Sequence, residues 1–189
     1  MKRLAVLVLL TGVILAASAT PAWAWYAPKQ NTAYIDISTP KGWVEWAGPS
    51  DPLSVVAHKD AIPRGWPVVV SLTWLDGEIG ARLAPAVLNE TLSLKRSGGG
   101  WKFAITDPAK SVKYWSPAYQ WDTVKYPGVW AMDWWVPLGK LTAGTYTGWT
   151  KDRALGPVPS WLDANGNVVT TVTWQEPWNN TFNHTFKVK

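Results

Sequence analysis

VWAMDWWVPLGKLTAGTYTGW, residues 129–149, contains the chain's clearest strand pattern and its clearest turn. Between Val129 and Val136 successive side chains alternate between two faces, which is the period of two that a β-strand requires. Pro137 ends this run, and a second alternating run begins at Tyr146. The first run is expected to place Trp130, Met132 and Trp134 in the core. The opposite face of the same strand then carries Ala131, Asp133 and Trp135.

Three residues at this turn carry a family resemblance. Leu141, Gly144 and Tyr146 follow one strand and open another, and they resemble the tyrosine corner of fibronectin-type-III and bacterial immunoglobulin-like domains. In those domains the tyrosine hydroxyl bonds to the backbone upstream and fixes the crossing between two sheets. The resemblance implies an immunoglobulin-like sandwich and a structural role for Tyr146.

Short alternating runs separated by turns continue along the chain and indicate an all-β fold. We predict a two-sheet antiparallel immunoglobulin-like sandwich with an N-terminal extension. Glu78–Leu88 is expected to be a loop or broken strand because Gly80 and Pro85 oppose a helix, and the prolines of Lys151–Trp161 indicate a loop. The other expected strands are Ala33–Ser38, Trp43–Trp46, Leu53–Ala57, Pro67–Trp74, Asn89–Lys95, Trp101–Ile105, Val168–Trp174 and Thr181–Val188.

The N-terminus has the pattern of a secretory signal peptide. Lys2 and Arg3 precede an apolar run that ends before the small-residue cleavage pattern Ala22-Trp-Ala24. We expect residues 1–24 to be cleaved and the protein to be secreted or extracytoplasmic, at the cell surface or in the periplasm, without a transmembrane anchor. Residues 25–52 are expected to form an N-terminal arm or hairpin, and residues 53–189 the β-sandwich domain.

The charge distribution argues against a nucleic-acid partner, and the cysteine content excludes thiol chemistry. The net charge of +5 includes Lys2 and Arg3, so the mature chain carries +3, and its longest basic cluster is Lys95-Arg96. Such a cluster is too small for a nucleic-acid footprint, and no nucleic-acid partner is expected. Because the chain has no cysteine, neither disulfides nor thiol chemistry can contribute.

No residue pattern in the chain assigns a catalytic or metal-binding role. Its two histidines, His58 and His184, lie far apart, whereas usual transition-metal sites need several histidine or cysteine ligands; no metal or other cofactor is expected. Asp133 would have a raised pKa if it were buried beside Trp134 and Trp135. A hydrolase remains an alternative, because sequence cannot show whether two carboxylates stand at a catalytic separation.

The sixteen tryptophans are the most unusual feature of the composition. Most are expected in the core, with a minority partly exposed. Segment 113–122 interleaves aromatic residues with Pro117 and polar residues, and it is the candidate ligand platform. The same side chains could instead cover the edge of the core. The candidate ligand-binding residues are Tyr114, Trp115, Tyr119, Trp121 and Trp135.

Two binding functions follow from these observations. A non-catalytic surface domain would meet an envelope or extracellular protein, or a second copy of itself, through sheet edges and aromatic patches. A carbohydrate-binding module would instead stack tryptophan and tyrosine rings on a polysaccharide. Coplanar aromatic rings in a groove beside Asn, Asp or Gln would favour the polysaccharide, whereas a flat apolar patch beside an unpaired strand would favour a protein.

Overall fold

The computed structural model describes residues 31–37, 43–46, 55–58 and 61–189. The expected signal peptide, residues 1–24, lies outside these ranges, within which no helix is long and apolar enough to cross a membrane. The helices are α1 (Glu78–Val87) and α2 (Pro108–Ser111), and a 3₁₀ turn follows at Val112–Tyr114. The strands are β1 (Ala33–Asp36), β2 (Trp43–Trp46), β3 (Val55–His58), β4 (Pro67–Asp76), β5 (Thr91–Arg96), β6 (Lys102–Ile105), β7 (Tyr119–Asp122), β8 (Tyr126–Lys140), β9 (Gly144–Ala154), β10 (Val158–Leu162), β11 (Val168–Gln175) and β12 (Trp178–Val188).

In the described residues these strands form sheets of six, four and two strands. The six-stranded sheet has the order β3-β2-β1-β4-β8-β7, the four-stranded sheet the order β12-β9-β5-β6, and β10 pairs with β11. Neighbouring strands are antiparallel except for β1, which is parallel to β4. The prediction of an all-β chain with antiparallel sheets is confirmed. Strands β1 and β2 of the expected N-terminal arm pair with each other and join the six-stranded sheet.

A single hydrophobic core receives side chains from both larger sheets. Val70 and Trp134 enter it from the six-stranded sheet, and Leu92, Tyr146 and Phe186 from the four-stranded sheet. The Tyr146 ring stacks on Phe186 with the centroids 5.3 Å apart. Its hydroxyl donates to the Thr142 carbonyl at 2.7 Å, which is the upstream backbone bond that the tyrosine-corner resemblance implies.

The tryptophans divide into buried, intermediate and exposed side chains. Among those whose side chains the structure describes, Trp115 and Trp134 are buried and Trp174 is exposed. The others are partly buried, and several of them pack against the core. The prediction that Trp134 is a core residue is confirmed, whereas Trp130 is only partly buried against the core.

The prediction of a loop or broken strand at Glu78–Leu88 is wrong, because residues 78–87 form α1. The helix buries Gly80, Ala81 and Ala84, whereas Ile79 and Leu83 are exposed. Its packed face is therefore made of small residues and fits closely against β4, β8 and β10. A Cβ at Gly80 would collide with the Asp76 carboxylate, so tertiary packing overrides the poor helix propensity of glycine.

The prediction of a loop over Lys151–Trp161 is also wrong. Strand β9 continues to Ala154 because β12 pairs with it along its whole length, and β10 begins at Val158. Pro159 lies within β10 opposite Trp174. Proline lacks the N–H that a central strand needs, but an edge strand tolerates it.

Candidate functional site

Three of the expected ligand-binding residues lie on one face of the six-stranded sheet. Asp133 and Trp135 alternate along β8 with the core residue Trp134, so they occupy the face directed away from the shared core. Tyr119 is in register with Ala131 of β8, which places Tyr119 and Trp121 on the same face. We call this surface the Asp133 face, and the structure brings together Tyr119, Trp121 and Trp135 on it.

Asp133 is the charged centre of this face, and it is only 2% exposed. Its carboxylate accepts hydrogen bonds from the Thr73 hydroxyl at 2.7 Å and the Tyr119 hydroxyl at 2.9 Å. Burial raises the pKa of Asp133 to about 6, although the two hydroxyl donors oppose the rise. The direction of the shift is the one expected for a buried carboxyl group.

The aromatic rings of the Asp133 face are not coplanar. Tyr34 and Trp135 lie 5.5 Å apart at an angle of 53°, and Tyr119 and Trp121 lie 6.4 Å apart at 39°. Tyr119 is only 4% exposed because its ring and hydroxyl pack around Asp133. Such tilted and largely covered rings do not provide the flat platform on which a sugar ring would stack.

Tyr114 and Trp115, the other two residues expected in the platform over segment 113–122, lie on the other side of the sheet and are not part of the Asp133 face. Trp115 forms a bridge with Trp134, which turns it toward the core, where it is 8% exposed. Tyr114 is partly buried against the same core. Helix α2 positions this segment, because the Trp134 indole donates to the Ser111 hydroxyl at 2.8 Å.

Among the strand pairs whose side chains the structure describes, the hairpin of β10 and β11 is the most exposed. Both faces of β11 are largely open to solvent, with Trp174 64% and Val168 43% exposed. In the described residues β11 pairs with β10 alone, and its sequence VVTTVTWQ has no charge and no proline. The edge of β11 that faces away from β10 has no partner among the described strands, a feature that most soluble proteins protect. Strand β10 is itself in register only with Val168 and residues 173–175, because the register shifts between Ser160 and Leu162.

The free edges of the larger sheets differ from that of β11. Strands β3, β6 and β7 have four residues each, and short edges offer little to a pairing strand. Strand β12 is longer, but it contains Lys187, and its end is occupied by Ile62, whose N–H donates to the Lys187 carbonyl at 2.8 Å. Among the described strands, β11 combines length, neutrality and an open edge.

Asp76 ties the hairpin to the body of the domain. It ends β4 and is fully buried, and one carboxylate oxygen accepts from the backbone N–H groups of Gly77 and Trp161, both at 2.7 Å. The Ser160 hydroxyl donates to the same oxygen at 3.3 Å. Burial raises the pKa of Asp76, while these three donors lower it. One side chain thus joins β4, the start of α1 and β10.

A second pair of carboxyl groups lies inside the domain, at Glu90 and Asp152. Glu90 is fully buried, and burial followed by the negative charge of Asp152 raises the pKa of Glu90 to about 10. Glu90 is therefore neutral at pH 7, and neither of its carboxyl oxygens has a hydrogen-bond partner in the structure. Asp152 accepts from the Trp178 indole at 3.0 Å. Since Glu90 has no solvent-accessible surface, a substrate cannot reach it, and the pair has a structural role.

The hairpin of β10 and β11 was not among the predicted sites, although its pattern was recognisable. Asn165-Gly166 marked the turn, and the absence of any charge in Val168–Gln175 is the signal typical of an unprotected edge. Asp163 holds the turn by accepting from the N–H groups of Asn165 and Asn167, both at 2.8 Å.

Neither a metal site nor a known relative assigns a function to the described part of the chain. In residues 31–37, 43–46, 55–58 and 61–189, no group of three or more histidine, cysteine or acidic side chains could hold a metal ion. Comparison of the chain with protein-family models, with curated proteins and with solved structures found no match.

Proposed function

We propose that this chain is an extracytoplasmic, non-catalytic binding domain of the immunoglobulin-like type, which engages a protein partner along the free edge of β11. The proposal rests mainly on one observation: β11 has an unpaired edge, no charged residue and a tryptophan that is 64% exposed. The signal-peptide pattern of residues 1–24 supports the extracytoplasmic location.

The order of the strands supports the immunoglobulin-like assignment. In that fold one sheet contains strands A, B, E and D, and the other contains C, F and G. If β4, β8 and β7 are B, E and D, then β5, β9 and β12 are C, F and G in the order that the four-stranded sheet has. The tyrosine corner then lies between E and F, where the family has it. The parallel pairing of β1 with β4 is a departure from this arrangement.

The same correspondence supports a binding role for the hairpin. Helix α1 then lies in the B–C connection, and the β10–β11 hairpin in the F–G connection. In variable domains these two connections lie at one end of the sandwich and carry antigen-binding loops. Here α1 packs against β10, and Ile79 and Leu83 of the helix are exposed. By analogy, this elaborated end is the binding end.

Strand addition is the recognition mode that the β11 edge fits best. An extended segment of a partner can bind the unpaired N–H and C=O groups of an edge strand, while side-chain positions give specificity. Trp174 adds a large amphipathic ring beside that edge, and tryptophan is enriched at the energetic centres of protein interfaces. Because β11 is uncharged, a partner strand meets no charge repulsion from it.

A polysaccharide ligand is less well supported. The aromatic rings of the Asp133 face are tilted by 53° and 39° within their pairs, and the Asp133 carboxylate is already bonded by Thr73 and Tyr119. An uncharged strand with an exposed tryptophan and an unpaired edge among the described strands favours a protein instead.

Photo-cross-linking in the source organism tests the proposal. Benzoylphenylalanine replaces Trp174 in one variant and, as a matched control, Val124 in another; Val124 is 92% exposed in the turn between β7 and β8. We expect discrete protein adducts from position 174 and none from position 124.

A glycan array tests whether the same protein binds a polysaccharide instead. Polysaccharide binding that is lost in Trp121→Ala and Trp135→Ala, together with no adduct at position 174, would overturn the proposal in favour of a carbohydrate-binding module.

A further inference from the structure

We infer that the outer face of the four-stranded sheet is a second binding site, and that its ligand is an acidic polysaccharide. Four lysines mark this surface, which we call the cationic face. Each comes from a different strand: Lys95 from β5, Lys102 from β6, Lys151 from β9 and Lys187 from β12. The inference goes beyond the proposed function, because this face belongs to a different sheet from β11.

The alternation of the strands directs the four lysines away from the core. In β12 the exposed residues Asn183, Thr185 and Lys187 alternate with His184 and Phe186, which are buried. Residues in register across a sheet lie on the same face of it. The pairs that share this outward face are Lys187 with Thr145, Thr185 with Thr147, Asn183 with Trp149, Thr181 with Lys151, Lys95 with Thr147, and Lys95 with Lys102. The four lysines therefore belong to one surface.

The first argument for a ligand is the one-sided charge of this sheet. Asp152 is the single acidic residue in its four strands, and it lies off the cationic face because it alternates with Lys151 along β9. The strands of the six-stranded sheet have the opposite composition, with Lys140 against Asp36, Glu45, Asp76, Asp122 and Asp133. Positive charge is thus concentrated on one face, although the mature chain carries only +3.

The second argument is a pair of like charges without compensation. Lys95 and Lys102 are directly opposite each other on β5 and β6, and both are exposed. Like charges in this position destabilise a sheet. Among the described residues, no ion pair involves a lysine of the cationic face, so no carboxylate of the chain neutralises this pair. A bound anionic group would relieve the repulsion.

The surroundings of Trp149 favour a sugar that carries the anionic groups. Across the strands Trp149 is flanked by Asn183 and Ser93, whose amide and hydroxyl groups can bond to sugar hydroxyls. The indole is partly exposed and adds apolar contact area. The Lys151 ammonium lies 5.0 Å from the centre of this ring. The cation–π interaction therefore holds it at the middle of the face, where it can pair with a carboxylate of the ligand.

A protein or a membrane fits the cationic face less well. Lysine and serine are depleted at protein interfaces, which favour aromatic residues, methionine and arginine. Binding in a membrane interface needs exposed apolar side chains. Among the described residues, none of the large apolar side chains that are exposed belongs to β5, β6, β9 or β12. A sugar chain with carboxylates at intervals matches both the lysines and the hydroxyl groups between them.

Isothermal titration of the purified full chain with polygalacturonate, which has one carboxylate per sugar, tests the site. Lys95→Glu/Lys102→Glu replaces one pair of like charges with another, and we expect its dissociation constant to rise about tenfold or more. The control Lys125→Glu/Lys140→Glu makes the same change of net charge at exposed positions outside the four-stranded sheet. It should stay within about twofold of the wild type, because distant exposed charges are screened. Equal losses in the two double variants would overturn the inference.

Matched probes test whether both the sugar and its charge are needed. Dextran, a neutral polysaccharide, should not bind, because it offers nothing to the lysines. Polyglutamate of the same charge should bind about fivefold more weakly than polygalacturonate, since it lacks the sugar hydroxyls that Asn183 and Ser93 would bond. Polyglutamate or single-stranded DNA that binds as tightly as polygalacturonate would overturn the assignment to a polysaccharide. So would a wild-type chain that does not bind polygalacturonate.

Two further variants separate the cationic face from the Asp133 face. Polygalacturonate binding that survives Trp121→Ala and Trp135→Ala supports the cationic face, whereas its loss in these variants would assign the sugar to the Asp133 face and overturn the inference. The adducts expected at position 174 report on β11 alone, so the proposed function and this second site succeed or fail independently.

Discussion

Strands β8 and β11 have similar sequence patterns and opposite environments. Both contain several aromatic or β-branched residues, and each contains at least one tryptophan: Trp134 lies in β8 and Trp174 in β11. Strand β8 is paired with β4 and β7 and buries both of its faces from Ala131 to Trp134, whereas β11 is paired with β10 alone and is largely exposed. Local pattern therefore determines that a segment is a strand, while its neighbours in the sheet determine whether its tryptophan stabilises the core or is available to a partner.

The largest expected difference between the two strands is in the effect of removing these tryptophans. Trp134→Ala should lower the free energy of unfolding by about 3–5 kcal/mol, because it empties a fully buried site and removes the bond to Ser111. Trp174→Ala should change it by less than about 0.5 kcal/mol, as at most exposed sites. Urea denaturation of the monomeric chain measures both values. Similar decreases in the free energy of unfolding of the two variants would contradict the predicted difference between β8 and β11.

The next effect is a pH dependence that belongs to β8. The pKa of Asp133 is raised from 3.8 to about 6 in the folded protein, so the stability contributed by its protonated form is fully present below pH 3.8. That contribution is lost as pH rises through 6, and it amounts to about 3 kcal/mol. The free energy of unfolding should therefore fall over this range relative to Asp133→Asn, which cannot titrate. A constant difference between wild type and Asp133→Asn from pH 4 to 7 would show that the carboxyl group is not buried.

A smaller effect should separate the hairpin from the body of the domain. Asp76→Ala leaves the N–H groups of Gly77 and Trp161 without their acceptor, at a cost of about 1–3 kcal/mol. Amide hydrogen exchange should accelerate in β10 and β11, whereas Ala131–Trp134 of β8 should stay protected because their partners are unchanged. Uniform acceleration in both regions would mean that Asp76 supports the whole domain rather than the hairpin.

The smallest stability effect tests the corner that follows β8. Tyr146→Phe removes the bond to the Thr142 carbonyl and should lower the free energy of unfolding by about 0.5–1.5 kcal/mol. The ring remains stacked on Phe186, so the core should be kept. A melting temperature equal to that of the wild type would remove the main support for an immunoglobulin-like corner.

The fold was predictable where sequence and packing agree. Strand β4 was recognisable from its β-branched run and β8 from its alternation. Helix α1 was not, because Gly80 and Pro85 oppose a helix, whereas its packed face consists of the small residues Gly80, Ala81 and Ala84. Strand β10 was not, because Pro159 indicates a loop unless its position on an edge strand is known.

The candidate site was predictable only in part, for a related reason. The burial of Asp133 follows from the alternation of β8, and Tyr119, Trp121 and Trp135 do share its face. Tyr114 and Trp115 do not share that face, because α2 and the 3₁₀ turn direct them toward the core. For β11 the available signal was the absence of charge in Val168–Gln175. The extent of its exposure could not be predicted, because exposure depends on which other strands pack beside it.

Amide hydrogen exchange of β11, compared with that of β8 in the same isolated chain, tests the central claim most directly. Because β11 pairs with β10 alone and is largely exposed, the amides of Val168–Gln175 should exchange quickly. The amides of Ala131–Trp134 in β8, which lies between β4 and β7, should stay protected. Protection of Val168–Gln175 equal to that of Ala131–Trp134 would contradict an open edge at β11.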